Sequence, residues 1–337
     1  MSSGGSGSGV KPDAKHSLRI GVIGAGVMGS NHARVLAGLP DIRLVGVADP
    51  LPAHRTRATE LTGCRTFTGL DELIAEGVDA VTIAAPTHLH HEIALACIAR
   101  GVHILVEKPI ASTVEEGREI VAAASRAGVT LMVGHVERFN PAVAAIKQAI
   151  TGEDILSIAI TRVGPFPPRM SNVGVVIDLA VHDIDLIRWF TESDIVEVQP
   201  QLSSAVAERE DIALLQFRTA SGVLAHINTN WLTPFKARNV TVATRGKYVM
   251  GDLLTRQVTE CFGFKPDGSY SMRHLPVGHD EPLRAELIAF LQAVRSGGVP
   301  AVTGEEGVAS LEIATRCLEI PSQPAASARK GPRRVVG

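Results

Sequence analysis

The stretch DLAVHDIDLIRWF, residues 178–190, sets one imidazole and three carboxylates among Leu, Ile, Val, Trp and Phe. On a helix, Asp178, His182 and Asp185 fall at i, i+4 and i+7 and share a face, while Leu179, Leu186, Ile187 and Phe190 make an apolar stripe elsewhere. That polar face is either solvated, with an internal Asp–His pair, or it is an acid–base site, for which an imidazole titrating near neutrality is a suitable base. Lys108 is a second candidate. It ends the run HILVEKP, which places an ammonium at the carboxyl edge of a parallel sheet, where open α/β folds bind ligands. Pro109 stiffens that turn, with a cis peptide as one way of doing so. A solvated charge is the plain alternative for this lysine. His88, His90 and His91 of HLHH have no acid or cysteine set beside them, so no metal site is expected.

Gly24-Ala-Gly26-Val27-Met28-Gly29 has the pattern G-x-G-x-x-G. It follows the strand-like LRIGVI and opens the helical VMGSNHARVLAGL, and Asp49 lies 49 − 29 = 20 residues beyond its last glycine. In that context Gly24 permits a tight turn, Gly26 lets backbone amides approach a pyrophosphate at the helix N-terminus, and Gly29 allows close packing of helix on strand. An Asp49 carboxylate accepts both adenosine-ribose hydroxyls and repels a 2′-phosphate, which favours NAD over NADP. His54, Arg55 and Arg57 nearby weigh on the other side.

Several elements must position these groups. From Leu18 to about Ile150, LRIGVIG, IRLVGVAD, AVTIAAP, HILVEKP and TLMVGH alternate with Ala-rich helical stretches, which argues for a parallel sheet with helices on both faces. FNPAVAAIKQAI is a helix with Asn140 as N-cap and Pro141 at its first position. After the helix containing His182, strand-like runs follow one another without helices between them, which implies a largely antiparallel sheet, and helices at about Pro282–Ser296 and Glu305–Ile320 close the chain. The expected organisation is a flexible tail over 1–17, a dinucleotide-binding α/β domain over 18–140, an α+β domain with a large open sheet over 141–320, and a second tail over 321–337.

At 337 residues the chain is long enough for two cores. A formal net charge of −2 gives no basic excess for nucleic-acid binding. No run approaches the 18 or so apolar residues of a membrane span, and the four scattered cysteines, Cys64, Cys97, Cys261 and Cys317, signal neither zinc nor a disulfide framework. A cytoplasmic protein is expected.

With these motifs on view, the chain resembles the glucose-fructose oxidoreductase / inositol dehydrogenase / MocA family from about Leu18 to Ile320. The G-x-G-x-x-G loop, APTHLHHEIALACIARGVHILVEKP, ERFNPA and DLAVHDID carry the likeness. The resemblance implies a doubly wound Rossmann domain followed by an open antiparallel sheet, a nicotinamide cofactor and a sugar or polyol substrate. It implies that Lys108 is the catalytic lysine and that Asp178 and His182 are the family's Asp-x-x-x-His pair. Oxidising a secondary alcohol removes the hydroxyl proton while a hydride leaves the same carbon. His182 would take the proton, Lys108 would stabilise the developing alkoxide, and Asp178 would orient the imidazole or hold a neighbouring hydroxyl. Gly24, Gly26, Val27, Met28, Gly29, Asp49, Ala85, Pro86, His90, Glu107 and Lys108 would line the cofactor.

Within the family, GHVERFNPAV, RVGPFPPR and DLAVHDID look most like the members that oxidise the C3 hydroxyl of UDP-N-acetylglucosamine, ahead of transamination to a 3-amino sugar. Arg162 and Arg169 would pair with the diphosphate, the intervening prolines would make a stiff loop, and Arg138 would complete the substrate set with Lys108, Asp178 and His182. Ordinary surface arginines, and an ion pair of Arg138 with Glu137, are the plain alternatives. An inositol or other polyol dehydrogenase would use the same triad without a diphosphate pocket, and a non-catalytic NAD-binding regulator would need neither the lysine nor the histidine. A homodimer or homotetramer is expected by analogy, with an aminotransferase as pathway partner.

Overall fold

The protein is described by a computed structural model over residues 17–166 and 173–320. Its first sheet contains β1 (Leu18–Ile23), β2 (Ile42–Ala48), β3 (Arg65–Phe67), β4 (Ala80–Ile83), β5 (His103–Glu107) and β6 (Leu131–Gly134), all parallel in the order β3-β2-β1-β4-β5-β6. Helices α1 (Val27–Ala37), α2 (Pro52–Thr62), α3 (Leu70–Ala75), α4 (His90–Ile98) and α5 (Val114–Ala127) connect the strands. Ile20, Val22, Val81, Ile83, Ile104, Leu105, Val106, Met132 and Val133 are wholly buried. Strands covered on both faces require such continuous apolar runs, which is why they were legible as strands. This is a doubly wound Rossmann sheet. Within this sheet, β3, only three residues long, is the strand the periodicity did not reveal.

Asn140 caps α6 (Pro141–Ile150), its side-chain oxygen accepting from the Ala142 amide at 3.0 Å. The second sheet comprises β7 (Ile155–Pro165), β8 (Ile195–Ser203), β9 (Ile212–Thr219), β10 (Leu224–Asn230), β11 (Leu232–Thr244), β12 (Lys247–Asp252), β13 (Gln257–Phe262) and β14 (Ser271–Leu275), in the order β14-β13-β12-β11-β7-β10-β9-β8. Every pair is antiparallel except β7 with β10. Along β9, Ala213, Leu215 and Phe217 point into the core and Leu214, Gln216 and Arg218 point out, the alternation of a sheet covered on one side only. Its inner face packs on α6, α7 (Val181–Thr191) and α9 (Gly304–Glu319).

α8 (Pro282–Ser296) departs from the expected division of the chain. Its Leu283, Leu287, Phe290 and Leu291 belong to the core of the first sheet. α9 contributes Val308 and Leu311 to that core and Ile313, Ala314 and Cys317 to the second. One amphipathic helix thus ties the two sheets together beside the crevice between them. Burying such side chains contributes about 1.5–3 kcal/mol each.

Candidate active site

At the nucleotide end, a Cβ on Gly24, where φ is +88°, would lie 2.7 Å from the Ala84 carbonyl and the Ala85 amide, and one on Gly29 would lie 1.7 Å from the Gly24 oxygen. Only glycine lets the turn, β4 and α1 approach this closely. Around Gly26, the N-cap of α1, a Cβ would meet nothing within 4 Å. The first turn of α1 has no acidic residue and no side-chain cap, so its free amides and positive dipole end face open space. Val27 and Met28 form the exposed rim, and Ala85 and Pro86 lie on the turn after β4, against Gly24. A dinucleotide pyrophosphate fits this cradle. Asp49 ends β2 and accepts from the amides of Ala25 (2.7 Å) and Leu51 (2.8 Å) and pairs with His54 Nδ1 at 3.0 Å. Burial would raise its pKa, but these hydrogen bonds outweigh burial and hold it ionised, below the ordinary range.

At the other end of the crevice, the Lys108–Pro109 peptide is cis. Lys108 Nζ donates to the Asp178 backbone oxygen at 2.6 Å and lies 3.4 Å from Asp178 Oδ1. The expected helix over 178–190 begins differently from a regular one, with a π-helical turn over Val176–Ala180 in which the Val181 amide reaches back to the Val176 oxygen. Widened turns of this kind recur at functional sites. Here the turn presents both the main chain and the carboxylate of Asp178 to the lysine. His182 follows in the first turn of α7, half-buried, with Nδ1 enclosed and unpartnered among the described residues. Burial first, and then the charges of Lys108 and Arg162, hold it well below the usual histidine range. The imidazole is therefore neutral at pH 7 and can accept a proton. The structure brings Lys108, Asp178 and His182 together.

The three carboxylates of the 178–190 stretch point three ways. Asp178 lines the crevice. Asp183 is wholly buried and receives Arg162, whose Nη2 lies 2.7 Å from Oδ1 and Nε 2.9 Å from Oδ2. Asp185 is buried, held by Arg138 Nε and Nη2 at 2.7 Å each and by Ser310 Oγ at 3.3 Å.

These pairs correct two substrate assignments. Arg162 lies on the central strand β7 rather than in a loop. It is 2% exposed, and its Nη1 bonds Glu137 Oε1 at 2.9 Å in addition to the Asp183 fork. A guanidinium enclosed in this way and neutralised by two carboxylates is not presented to a diphosphate. Arg138 is likewise consumed, by Asp185 and by Glu306 Oε1 at 2.7 Å. Arg169 lies outside the described residues.

Two cofactor assignments also change. His90 is buried, with Nδ1 3.0 Å from the Pro109 oxygen and Nε2 2.9 Å from the Ala85 oxygen. It fastens the turn after β4 to the turn after β5, with both ring nitrogens taken up by those carbonyls. Glu107 turns inward, where Oε1 meets His32 Nε2 at 2.9 Å and Oε2 accepts from the Lys108 amide at 3.3 Å. Glu286 of α8 joins them, wholly buried, with neither carboxyl oxygen partnered among the described residues. Burial first, and then the charge on Glu107, push the Glu286 pKa well above the usual carboxylate range.

Three further members of the ion-pair and ring network around the site escaped the sequence reading. His135, after β6, is buried with its ring edge-on to His182, centroids 6.2 Å apart. Arg238 on β11 is cross-strand from Arg162 and bonds Glu137 Oε1 at 3.0 Å. Glu306 belongs to the Thr303–Glu306 capping box of α9 as well as to Arg138. The only signal for Arg238 was its inward parity with Val240 and Val242 on a strand.

Residues 18–135 match the model of an oxidoreductase family described as having an NAD-binding Rossmann fold, and residues 155–249 match the GFO/IDH/MocA C-terminal domain. The chain belongs to the GFO/IDH/MocA oxidoreductase family. It is 32% identical over 285 residues to a UDP-N-acetylglucosamine 3-dehydrogenase of Acidithiobacillus ferrooxidans, covering 82% of this chain and 88% of that one. An inositol 2-dehydrogenase of Rubrobacter xylanophilus is 31% identical over 321 residues, covering 89% and 90%. A solved structure of the Acidithiobacillus ferrooxidans 3-dehydrogenase superposes with a TM-score of 0.84 at 28% identity, covering 89% of this chain and 96% of that one.

As a GFO/IDH/MocA member the chain is an NAD-binding oxidoreductase, and the Gly26 cradle after β1 and Lys108 after β5 both lie at the carboxyl edge of the parallel sheet. Among the described residues no helix is long and apolar enough to cross a membrane.

Proposed function

We propose that the protein oxidises the C3 hydroxyl of UDP-N-acetylglucosamine to the 3-keto sugar with NAD as hydride acceptor. The observation that carries an alcohol oxidation is the meeting of Lys108, Asp178 and a neutral His182 at one end of the cofactor crevice. His182 takes the hydroxyl proton, and the ammonium of Lys108, held by Asp178, stabilises the negative charge that develops on the oxygen. The nicotinamide, when bound, supplies the acceptor for the hydride. The likeness to the Acidithiobacillus ferrooxidans enzyme supports this substrate. The ionised carboxylate of Asp49 at the end of β2 supports NAD over NADP.

One observation favours a second reading. Arg162 is neutralised internally, which removes an arginine expected at the phosphates, and an inositol 2-dehydrogenase is nearly as similar to the chain. An inositol or other polyol substrate would need no phosphate contact.

The test is NADH formation from UDP-N-acetylglucosamine, UDP-glucose, free N-acetylglucosamine and myo-inositol, with glutamate and an aminotransferase present to trap ketone. Reaction of the UDP-sugar alone supports the proposal. Reaction of inositol alone replaces it with the polyol reading.

Two broader features belong to the same proposal. Leu156, Leu214, Leu224, Tyr248, Met250 and Met272 are exposed on the second sheet, which supports self-association through that face, to be read by light scattering. Free, mostly buried cysteines support a cytoplasmic enzyme.

A further inference from the structure

The inner face of β11 continues beyond the catalytic cluster. Inward parity runs Val242, Val240 and Arg238, and Lys236 then lies over Gly164, which has the parity of Arg162 on β7, so the two cations share the face that carries Arg162. Arg162 is enclosed and committed to Asp183 and Glu137. Arg238 is different. Its side chain is 34% exposed, and its one hydrogen bond among the described residues runs from Nη1 to Glu137, which leaves the rest of the planar fork free. Its charge bears on both Asp178 and His182 without a hydrogen bond to either.

Between Leu232 and Ala237 the pairing with β7 slips from Pro165 to Val163, so β11 bulges by three residues. The bulge leaves Pro234, Phe235 and Lys236 exposed, and bulges of this kind re-aim side chains beside active sites. Lys236 crosses Gly164, where a Cβ would come 3.4 Å from its Cγ, and its ammonium has no partner among the described residues.

The local charges close as follows. Arg162 and Arg238 are balanced by Asp183 and Glu137, and Lys108 by Asp178. Lys236 is the surplus cation.

Resting on the substrate reading above, we propose that Arg238 and Lys236 form the diphosphate subsite of a nucleotide sugar. The phosphate on C1 must lie across one pyranose ring from the reacting C3 hydroxyl. A guanidinium close to His182 but out of its hydrogen-bond reach, continued outward by an ammonium on the same strand face, meets that requirement. The fork of Arg238 takes phosphate oxygens bidentately and Lys236 acts as a point charge.

The test is calorimetric titration of the NADH-bound enzyme with UDP and with uridine, for the wild type, Lys236→Met and Arg238→Met, together with steady-state kinetics on UDP-N-acetylglucosamine. The wild type should bind UDP and bind uridine at least tenfold more weakly. Lys236→Met should weaken UDP about threefold to tenfold, and Arg238→Met about tenfold to a hundredfold, with KM for the UDP-sugar rising in step and kcat changing much less. Lys236 is exposed, so its variant remains informative if Arg238→Met folds poorly. Unchanged UDP affinity in Lys236→Met and in a folded Arg238→Met overturns the subsite while leaving the substrate reading intact. Failure of the wild type to bind UDP or turn over the UDP-sugar overturns the substrate reading, and the subsite with it.

Discussion

Replacing Arg162 by Met distinguishes an internal counter-ion from a substrate contact. Asp183 is wholly buried and Glu137 nearly so, and Arg162 supplies a three-contact fork to the first and one hydrogen bond to the second. Removing the cation from such a buried pair costs about 3–5 kcal/mol, because a charge is left without its partner. A chain of this size has an unfolding entropy of about 0.6–0.7 kcal/mol/K, so Tm should fall by about 4–8 °C. Arg162→Lys, which keeps the charge and loses the fork, should recover part of that fall. The deficit should also shrink as pH falls below about 4.5, the usual glutamate value. In the wild type Glu137 is held below its usual range, burial being outweighed by Arg162 and Arg238. That contribution is present above the unfolded pKa and is lost as pH falls, so the variant has less to lose in acid. Thermal unfolding of the cofactor-free protein, followed by fluorescence of Trp189 and Trp231, reads these shifts. A Tm within 1 °C of wild type at pH 8, together with a tenfold rise in KM for a UDP-sugar, would refute the counter-ion argument.

Further outcomes follow from the same geometry. Lys108→Met and His182→Asn should each lower kcat by about 10²–10⁴ with NADH affinity nearly unchanged by fluorescence titration, and Asp178→Asn should be milder. The acid limb of kcat/KM for oxidation should lie below pH 6.5, since His182 is held low by burial and then by Lys108; the residual activity of Lys108→Met should show that limb at higher pH. Gly26→Ala, where the added methyl meets no protein atom, should leave the apo Tm within about 1 °C of wild type but weaken NADH roughly tenfold to a hundredfold, a clash of about 1–3 kcal/mol with the bound pyrophosphate. Gly29→Ala, whose methyl would lie 1.7 Å from the Gly24 oxygen, should instead lower the apo Tm itself.

The Rossmann half was legible because its strands are buried on both faces and its loop glycines have one purpose each. In the second half, β7 was missed as a strand although Ile158, Ile160 and Arg162 alternate inward along it. The arginine at an inward position disguised the period, and the prolines at its end suggested a loop. That one omission moved Arg162 from the sheet centre to an imagined phosphate loop. His182 and Asp178 were found because their spacing is local to one segment. The π-turn between them left no pattern in the sequence, being fixed by how Lys108 and Glu210 grip the backbone around it. Arg238, His135 and Glu286 were invisible for a related reason: their roles arise only where strands and helices remote in sequence converge.

The central claim, hydride transfer from C3 of the sugar to the cofactor, is tested most directly with UDP-N-acetylglucosamine deuterated at C3. The reduced cofactor formed by the wild-type enzyme, trapped and analysed by mass spectrometry and NMR, should carry one deuterium at C4 of the nicotinamide, with no washout to solvent. Reduced cofactor without the label would contradict the account, because the hydride would then have come from another carbon.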